Sequence, residues 1–531
     1  MRTGVFRRLR AAVAVGLLIC AAAGCGSAEG SGRGAESVVT IRDGQVRGQV
    51  ADDHRLFAGI PYAAAPVGER RWQPPAAPAA WSGQRDATTP GPQCPQTGSQ
   101  DQPGWSQSED CLSLNVWTPA AARERSRLPV LVWIHGGSFL TGSGRDYTPI
   151  GLVNAGNMVV VTINYRLGAL GFLAHPALAH DGGQVGNFGL LDQQAALRWV
   201  RDNIGAFGGD PAKVTLAGES AGAMSVCDHL ASPASVGLFR AAVLQSGPCQ
   251  VQADRATAIA ASQDYAARLG CDGEPAAVAA CLRAVPVARL LDAPLGFVGR
   301  GDDLVPGPVT GEALLPANPV EAIHGGQTAK VPVLIGFTHD EGTSFTADSY
   351  LKNPQTFTAD NYPNLLAGLV GPRAGEVAAR YPLRVYPHPV LALSAVGTDR
   401  DFVCPILDMA DGLAKAAPVY AYEFADAHAA VPPEWSGLPF PLGAAHALEL
   451  PYLFDRVEGL PAPPTSDQRA LSQQMIRYWA AFVNATDPAV GDQPAWPRYT
   501  AQRALQFAPG DTKVTTDAAS EHRCQFWNTF R

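Results

Sequence analysis

Continuous apolar runs recur along the chain at residues 129–134 (Pro-Val-Leu-Val-Trp-Ile), 158–164 (Met-Val-Val-Val-Thr-Ile-Asn) and 214–217 (Val-Thr-Leu-Ala). Runs without polar alternation predict strands buried on both faces of a parallel sheet. Between the second and third runs, Ala196, Leu197, Val200, Ile204 and Phe207 recur at helical spacing, which predicts a core-facing amphipathic helix over 193–207. Gly208-Gly209-Asp210-Pro211 ends it, and the next strand follows at once. Strand, helix and strand in that order argue for right-handed βαβ units in one sheet. Further strands are predicted at 38–41, 45–50, 241–244, 331–335 and 419–424. A Pro-rich passage over 61–95 cannot be helical and is expected to wrap the surface. The Ala/Pro-rich stretches 262–298 and 347–393 read as partly helical cover for the sheet or roof of a pocket, and 477–483 belongs to a late amphipathic helix. No repeat or internal boundary interrupts 38–531. The pattern predicts one α/β domain built on a large sheet.

Composition narrows the class. The 531 residues, 46% apolar and 17% charged, can bury a large core. A net charge of -8 argues against a nucleic-acid partner, which would call for a basic stripe. Residues 1–10 are basic and 11–23 are apolar and uncharged. Such a run is too short to span a bilayer, so 1–24 reads as a secretory signal. Ala22-Ala23-Gly24-Cys25 resembles a bacterial lipobox, with Ala22 where a leucine is usual, and Cys25 is the expected lipidation site. That lipid would be the sole membrane link, on the outer face of the cell membrane, with plain secretion as the alternative. The Gly/Ser-rich segment 25–37 would then be a flexible tether. Beyond it lie Cys94, Cys111, Cys227, Cys249, Cys271, Cys281, Cys404 and Cys524, an even number that implies disulfides in an exported chain. No local Cys or His spacing suggests a metal, and no cofactor is expected.

The chemistry centres on Gly218-Glu219-Ser220-Ala221-Gly222 at the end of the third run. A serine between two glycines on a sharp strand-to-helix turn exposes its hydroxyl, and is a nucleophile candidate. His135-Gly136-Gly137-Ser138-Phe139 follows the 129–134 strand, where a glycine pair can aim backbone N–H groups at one point, as an oxyanion hole requires. A serine nucleophile needs a histidine base and a carboxylate to support it. In the α/β-hydrolase chain order both follow the serine. Asp340 and Glu341 after the 331–335 strand are the acid candidates, and His388, His428, His446 and His522 lie beyond. Topology alone ranks His428 and His446 level.

Taken together, these segments resemble the type-B carboxylesterases, the family of cholinesterases, liver carboxylesterases and bacterial p-nitrobenzyl esterases. The resemblance also rests on Phe57-Ala58-Gly59-Ile60-Pro61-Tyr62-Ala63, Glu109-Asp110-Cys111-Leu112, Asn164-Tyr165-Arg166-Leu167-Gly168, Gly186-Asn187-Phe188-Gly189-Leu190 with Asp192-Gln193, Asp340-Glu341-Gly342 and His446 with Glu449-Leu450-Pro451. It implies an α/β-hydrolase fold with a large mixed, mostly parallel sheet flanked by helices. It further implies hydrolysis of small-molecule carboxylic esters by Ser220, with His446 as base and Glu341 as acid. The amides of Gly137, Ser138 and Ala221 would form the oxyanion hole, Ser138 standing where glycine or alanine is commoner and narrowing the acyl side. The family's pairings imply Cys94–Cys111, Cys271–Cys281 and Cys404–Cys524, leaving Cys227 and Cys249 to pair or stay free. With a histidine base of ordinary pKa, activity is expected to fall below about pH 6.5. Two other readings follow from the same fold. One is a non-catalytic recognition domain, of the kind that has lost the triad. The other is a choline-ester hydrolase, which would need a cation-binding aromatic such as Trp105 in the Cys94–Cys111 loop.

Overall fold

The computed structural model describes residues 37–97, 106–300, 303–500 and 502–530. The signal, Cys25, nearly all of the tether and Trp105 lie outside the described residues. The central sheet has eleven strands. In chain order they are β1 (Gln49–Val50), β2 (His54–Pro61), β3 (Ser113–Pro119), β4 (Leu128–Ile134), β5 (Val159–Ile163), β6 (Gly209–Glu219), β7 (Ala241–Gln245), β8 (Val333–Thr338), β9 (Val419–Phe424), β10 (Ala504–Phe507) and β11 (Lys513–Thr515). Their spatial order is β11-β10-β9-β8-β7-β6-β4-β5-β3-β2-β1. Every pair from β10 to β5 is parallel, and the pairs at the two edges are antiparallel.

The apolar runs occupy the parallel middle because both faces there are covered. Along β4, Val130, Val132 and Ile134 enter one core cluster, while Leu131 and Trp133 enter the other. Alternate side chains thus point into two cores, and neither face can carry a polar residue cheaply.

The main helices are α1 (Phe188–Asn203), α2 (Ala221–Ala231), α3 (Gly342–Lys352), α4 (Cys404–Leu413), α5 (Ser466–Ala485) and the short α6 (Ala518–Glu521). The helix predicted over 193–207 begins earlier and tightens into a 3-10 turn at Ile204–Phe207. Gly208, at φ 94°, then reverses the chain in a backbone region open to glycine. Strand β6 starts at Gly209 rather than near Val214, with a register irregularity between those two residues. Strand β8 runs to Thr338, past the expected end at 335, so it delivers the chain three residues short of Glu341. Helix α5 opens with a capping box between Thr465 and Gln468. It buries Leu471, Met475, Tyr478, Trp479 and Phe482 at helical spacing.

Several motif residues serve as braces. Arg166 binds Asp192 through two guanidinium nitrogens at 2.8 and 2.7 Å, both side chains being buried. Removing one partner of such a pair costs about 3–5 kcal/mol, because the other charge is left buried alone. Arg71 holds Glu109 in the same two-pronged way. The disulfides are Cys94–Cys111, Cys227–Cys249, Cys271–Cys281 and Cys404–Cys524, so Cys227 and Cys249 pair with each other. Among the described residues no helix is long and apolar enough to cross a membrane.

Candidate active site

Ser220 stands between β6 and α2 with φ 53° and ψ -125°, a strained conformation for a residue with a side chain. The neighbouring glycines explain how the turn closes. A Cβ on Gly218 would lie 2.5 Å from the carbonyl carbon of Gly222, and one on Gly222 would lie 2.0 Å from the carbonyl oxygen of Ile134. The turn is therefore pressed against the end of β4. A Cβ on Gly136 would come within 2.9 Å of Ser220 Cβ, so the segment after β4 passes directly beside the serine.

That segment is built to present backbone. Gly137, Ser138 and Phe139 have φ of 103°, 55° and 59°. The Gly137 carbonyl accepts the N–H groups of Leu140 and Thr141. The amides of Gly137 and Ser138 donate to no acceptor among the described residues, and Ala221, as the first residue of α2, has no carbonyl one turn earlier. His135 sets the path of the loop. It is buried, stacks on Tyr165 at 4.4 Å and accepts the Tyr165 hydroxyl on its carbonyl oxygen at 3.0 Å. Burial lowers its pKa to about 4. The ring is thus neutral, with Nδ1 2.8 Å from the Gly136 carbonyl.

Glu341 is fully buried. Its Oε1 accepts the Thr338 N–H at 2.9 Å, and its Oε2 lies 2.5 Å from His446 Nδ1. The two loops are also tied to each other. Asp340 N–H donates to the Ala444 carbonyl, and Asp340 Oδ2 accepts the Ala444 N–H, both at 2.9 Å. Gly443, at φ 65°, faces Asp340 so closely that a Cβ would sit 2.2 Å from that oxygen. Asp340 therefore braces the histidine loop, while Glu341 meets the imidazole. The other histidines lie elsewhere. His428 is exposed, His388 accepts the Val390 N–H at the head of a helix, and His522 binds Asp399.

His446 Nε2 lies 3.1 Å from Glu219 Oε1. The contact is a charge approach rather than an aligned hydrogen bond, since Glu219 Oε1 has no hydrogen-bond partner. No hydrogen bond joins Ser220 Oγ to His446. Glu449 completes a buried acidic group behind the ring, accepting from Gln245 Nε2 at 3.1 Å, and Gln245 in turn accepts from Trp479 Nε1. Burial raises Glu219 to about 8 and Glu449 to about 7. For His446, burial pulls the pKa down, but Glu219 and then Glu341 outweigh it and raise it to about 9. Full ionisation of Glu219 and its burial oppose each other. Glu341 touches the ring directly at Nδ1, so the contact favours the protonated imidazole.

Phe345, one turn after Glu341 on α3, is 43% exposed and has its ring 5.0 Å from His446. Phe402 stacks on it at 5.6 Å and lies 5.2 Å from His446. These two rings form an apolar wall that solvent can reach. Sequence reading singled out neither. Their one signal was the helical spacing of Phe345 from Glu341. Glu219 and Glu449 lie within the Gly218–Gly222 and Glu449-Leu450-Pro451 motifs, whose spacing assigns neither a role.

The Carboxylesterase family model matches residues 35–527. The chain is 35% identical over 504 residues to the para-nitrobenzyl esterase of Bacillus subtilis (strain 168), covering 92% of this chain and 97% of that protein. It is 34% identical to the acylcarnitine hydrolase of Rattus norvegicus, covering 92% and 90% of the two chains. It is 33% identical to the cocaine esterase of Homo sapiens, covering 99% and 96%. On these matches the chain belongs to the carboxylesterase family.

Proposed function

We propose that this protein is a serine carboxylesterase acting on small to medium carboxylic esters through an acyl-enzyme on Ser220. The observation that carries the reading is His446, held at Nδ1 by the buried Glu341 and set beside the serine turn. In its neutral form His446 takes the Ser220 proton at Nε2 while Oγ bonds to the ester carbonyl carbon. The oxyanion is met by the amides of Gly137, Ser138 and Ala221. As the tetrahedral adduct collapses, the bond to the alcohol breaks and the alcohol leaves with the proton from His446. Water repeats the sequence on the acyl-enzyme and restores Ser220. The hydrogen bond between Ser220 and His446 is expected to form and tighten as substrate binds.

The four disulfides among the described residues suit an oxidising compartment. With the basic and apolar leader, they support export of a 38–531 domain on a 25–37 tether, lipidated at Cys25 after removal of 1–24.

Turnover of p-nitrophenyl butyrate and labelling of Ser220 by an organophosphate test the catalytic reading. Ser220→Ala is expected to lower kcat by about 10⁶ and abolish the label. A protein that neither turns over the ester nor takes the label would be a recognition domain instead.

A further inference from the structure

On the far side of β8, three side chains converge that the ester chemistry does not use. His339 follows β8, Glu423 lies on β9, and His522 follows α6. One ligand atom from each lies within 4.8 Å of the others. His339 Nδ1 is 2.6 Å from Glu423 Oε1, and the two imidazole rings are 5.2 Å apart. Glu423 is fully buried and His522 is 3% exposed. His522 Nδ1 meets Asp399 Oδ1 at 2.7 Å, which leaves Nε2 as its free nitrogen. That Nε2 is buried and has no hydrogen-bond partner.

A buried imidazole nitrogen without a partner is costly in a folded protein. The arrangement around it is the one metal sites use. The histidine's other nitrogen is fixed by a carboxylate, which orients the ring and raises its basicity as a ligand. That carboxylate is itself fixed, since Asp399 Oδ2 accepts from Tyr381 Oη at 2.6 Å and from Arg523 at 3.2 Å. Glu423 Oε2 is likewise held, by Gln506 Nε2 at 3.0 Å. Glu521, partly exposed, stands 3.8 Å from His339 Nε2, on the side of the ring away from Glu423. His339 is about one-third exposed, so an ion can arrive from that side.

We propose that His339, Glu423 and His522 form a binding site for a zinc-like divalent transition metal, closed by water. Two imidazoles and a carboxylate suit Zn²⁺ and its neighbours rather than Ca²⁺ or Mg²⁺, which take oxygen donors. Tetrahedral Zn²⁺ with bonds of about 2.0–2.1 Å sets its ligands about 3.3 Å apart. His339 Nδ1 and Glu423 Oε1, now 2.6 Å apart, would part slightly to admit the ion, and the widest separation in the set, within 4.8 Å, would close. The ion would join β8, β9 and the C-terminal segment. Because His339 precedes Glu341 by two residues, it would also anchor the turn that carries the carboxylate meeting His446.

The test uses tag-free full-length protein, stripped with a chelator and titrated with ZnCl₂ by calorimetry, with CoCl₂ as a spectroscopic probe. One equivalent of Zn²⁺ should bind, Co²⁺ should give the visible absorption of a four-coordinate N/O site, and the melting temperature should rise with free Zn²⁺. His339→Ala and His522→Ala should each weaken binding more than tenfold and remove the thermal shift, and Asp399→Asn should weaken it about tenfold. His339 is on the solvent side, so His339→Ala remains informative if His522→Ala fails to fold, which far-UV circular dichroism of the metal-free proteins will reveal. Absence of Zn²⁺ uptake at millimolar concentration would overturn the proposal and leave the cluster as a salt-bridged latch. So would uptake unaffected by His339→Ala, which would place the metal elsewhere. Neither outcome depends on esterase activity.

Discussion

His446 is contacted by a carboxylate at each ring nitrogen, Glu341 at Nδ1 and Glu219 at Nε2. In the proposed mechanism the first arrangement orients the base, whereas the second competes with Ser220 for the nitrogen that would take its proton. With the pKa of His446 raised to about 9, the neutral ring becomes the main form only at alkaline pH. The acid limb of kcat/KM is thus expected above pH 6.5, higher than an unperturbed histidine implies. Glu219→Gln removes the largest raising charge and should move the limb down toward 6.5. A pH profile of p-nitrophenyl butyrate hydrolysis for both proteins checks this, and a wild-type limb at 6.5 that Glu219→Gln leaves in place would contradict it. Stability runs the other way. A histidine with a raised folded pKa contributes stability that is full below 6.5 and lost as pH climbs through about 9. Glu219, raised by burial to about 8, also disfavours the fold increasingly as pH rises above its ordinary 4.5. Activity and melting temperature should therefore trend in opposite directions across this window.

The turn that carries Ser220 depends on contacts between elements rather than on its own propensity. Gly222 has no room for a methyl group because the end of β4 occupies the space. Gly222→Ala is expected to force β4 and the head of α2 apart, costing about 1–3 kcal/mol. A shift of even an ångström at the nucleophile would lower kcat by about 10². Urea midpoints and kcat measured together test both effects, and a variant equal to wild type in each would show that the turn has slack. The same dependence explains what could be read from the chain. β4, β5 and β6 were legible because both faces are buried and their runs are unbroken. So was the sharp turn at Ser220, whose glycines are local. The choice of His446 over His428 was not legible from topology. It rests on Gly443 and Ala444 meeting Asp340, more than a hundred residues earlier, a closure that no periodicity reports. Only the family resemblance separated the two. The His339, Glu423 and His522 cluster was hidden for the same reason, since its members are far apart in sequence and carry no ligand spacing.

The bridge between Cys404 and Cys524 spans 120 residues, and that between Cys271 and Cys281 spans 10. The long loop contains β9, β10, β11, α5 and the segment bearing His446. It therefore ties the head of α4 to the carboxyl-terminal segment around three strands at one edge of the sheet, and Trp527 of that segment donates to Tyr381 Oη at 2.6 Å. On the chain-entropy account, closing the longer loop stabilises the fold by about 2 kcal/mol more than closing the shorter one. Cys404→Ser with Cys524→Ser should thus lower the urea midpoint more than Cys271→Ser with Cys281→Ser. Because the released loop carries His446, hydrolysis by the first variant should fail at the same urea concentration at which its fluorescence reports unfolding. The short bridge encloses only a turn and most of the helix Pro275–Ala284, distant in sequence from Ser220, Glu341 and His446, so its loss should shift stability and leave kcat at low urea unchanged. Equal midpoints for the two double variants would mean that native contacts of the carboxyl-terminal segment, rather than loop closure, set the stability of this half of the molecule.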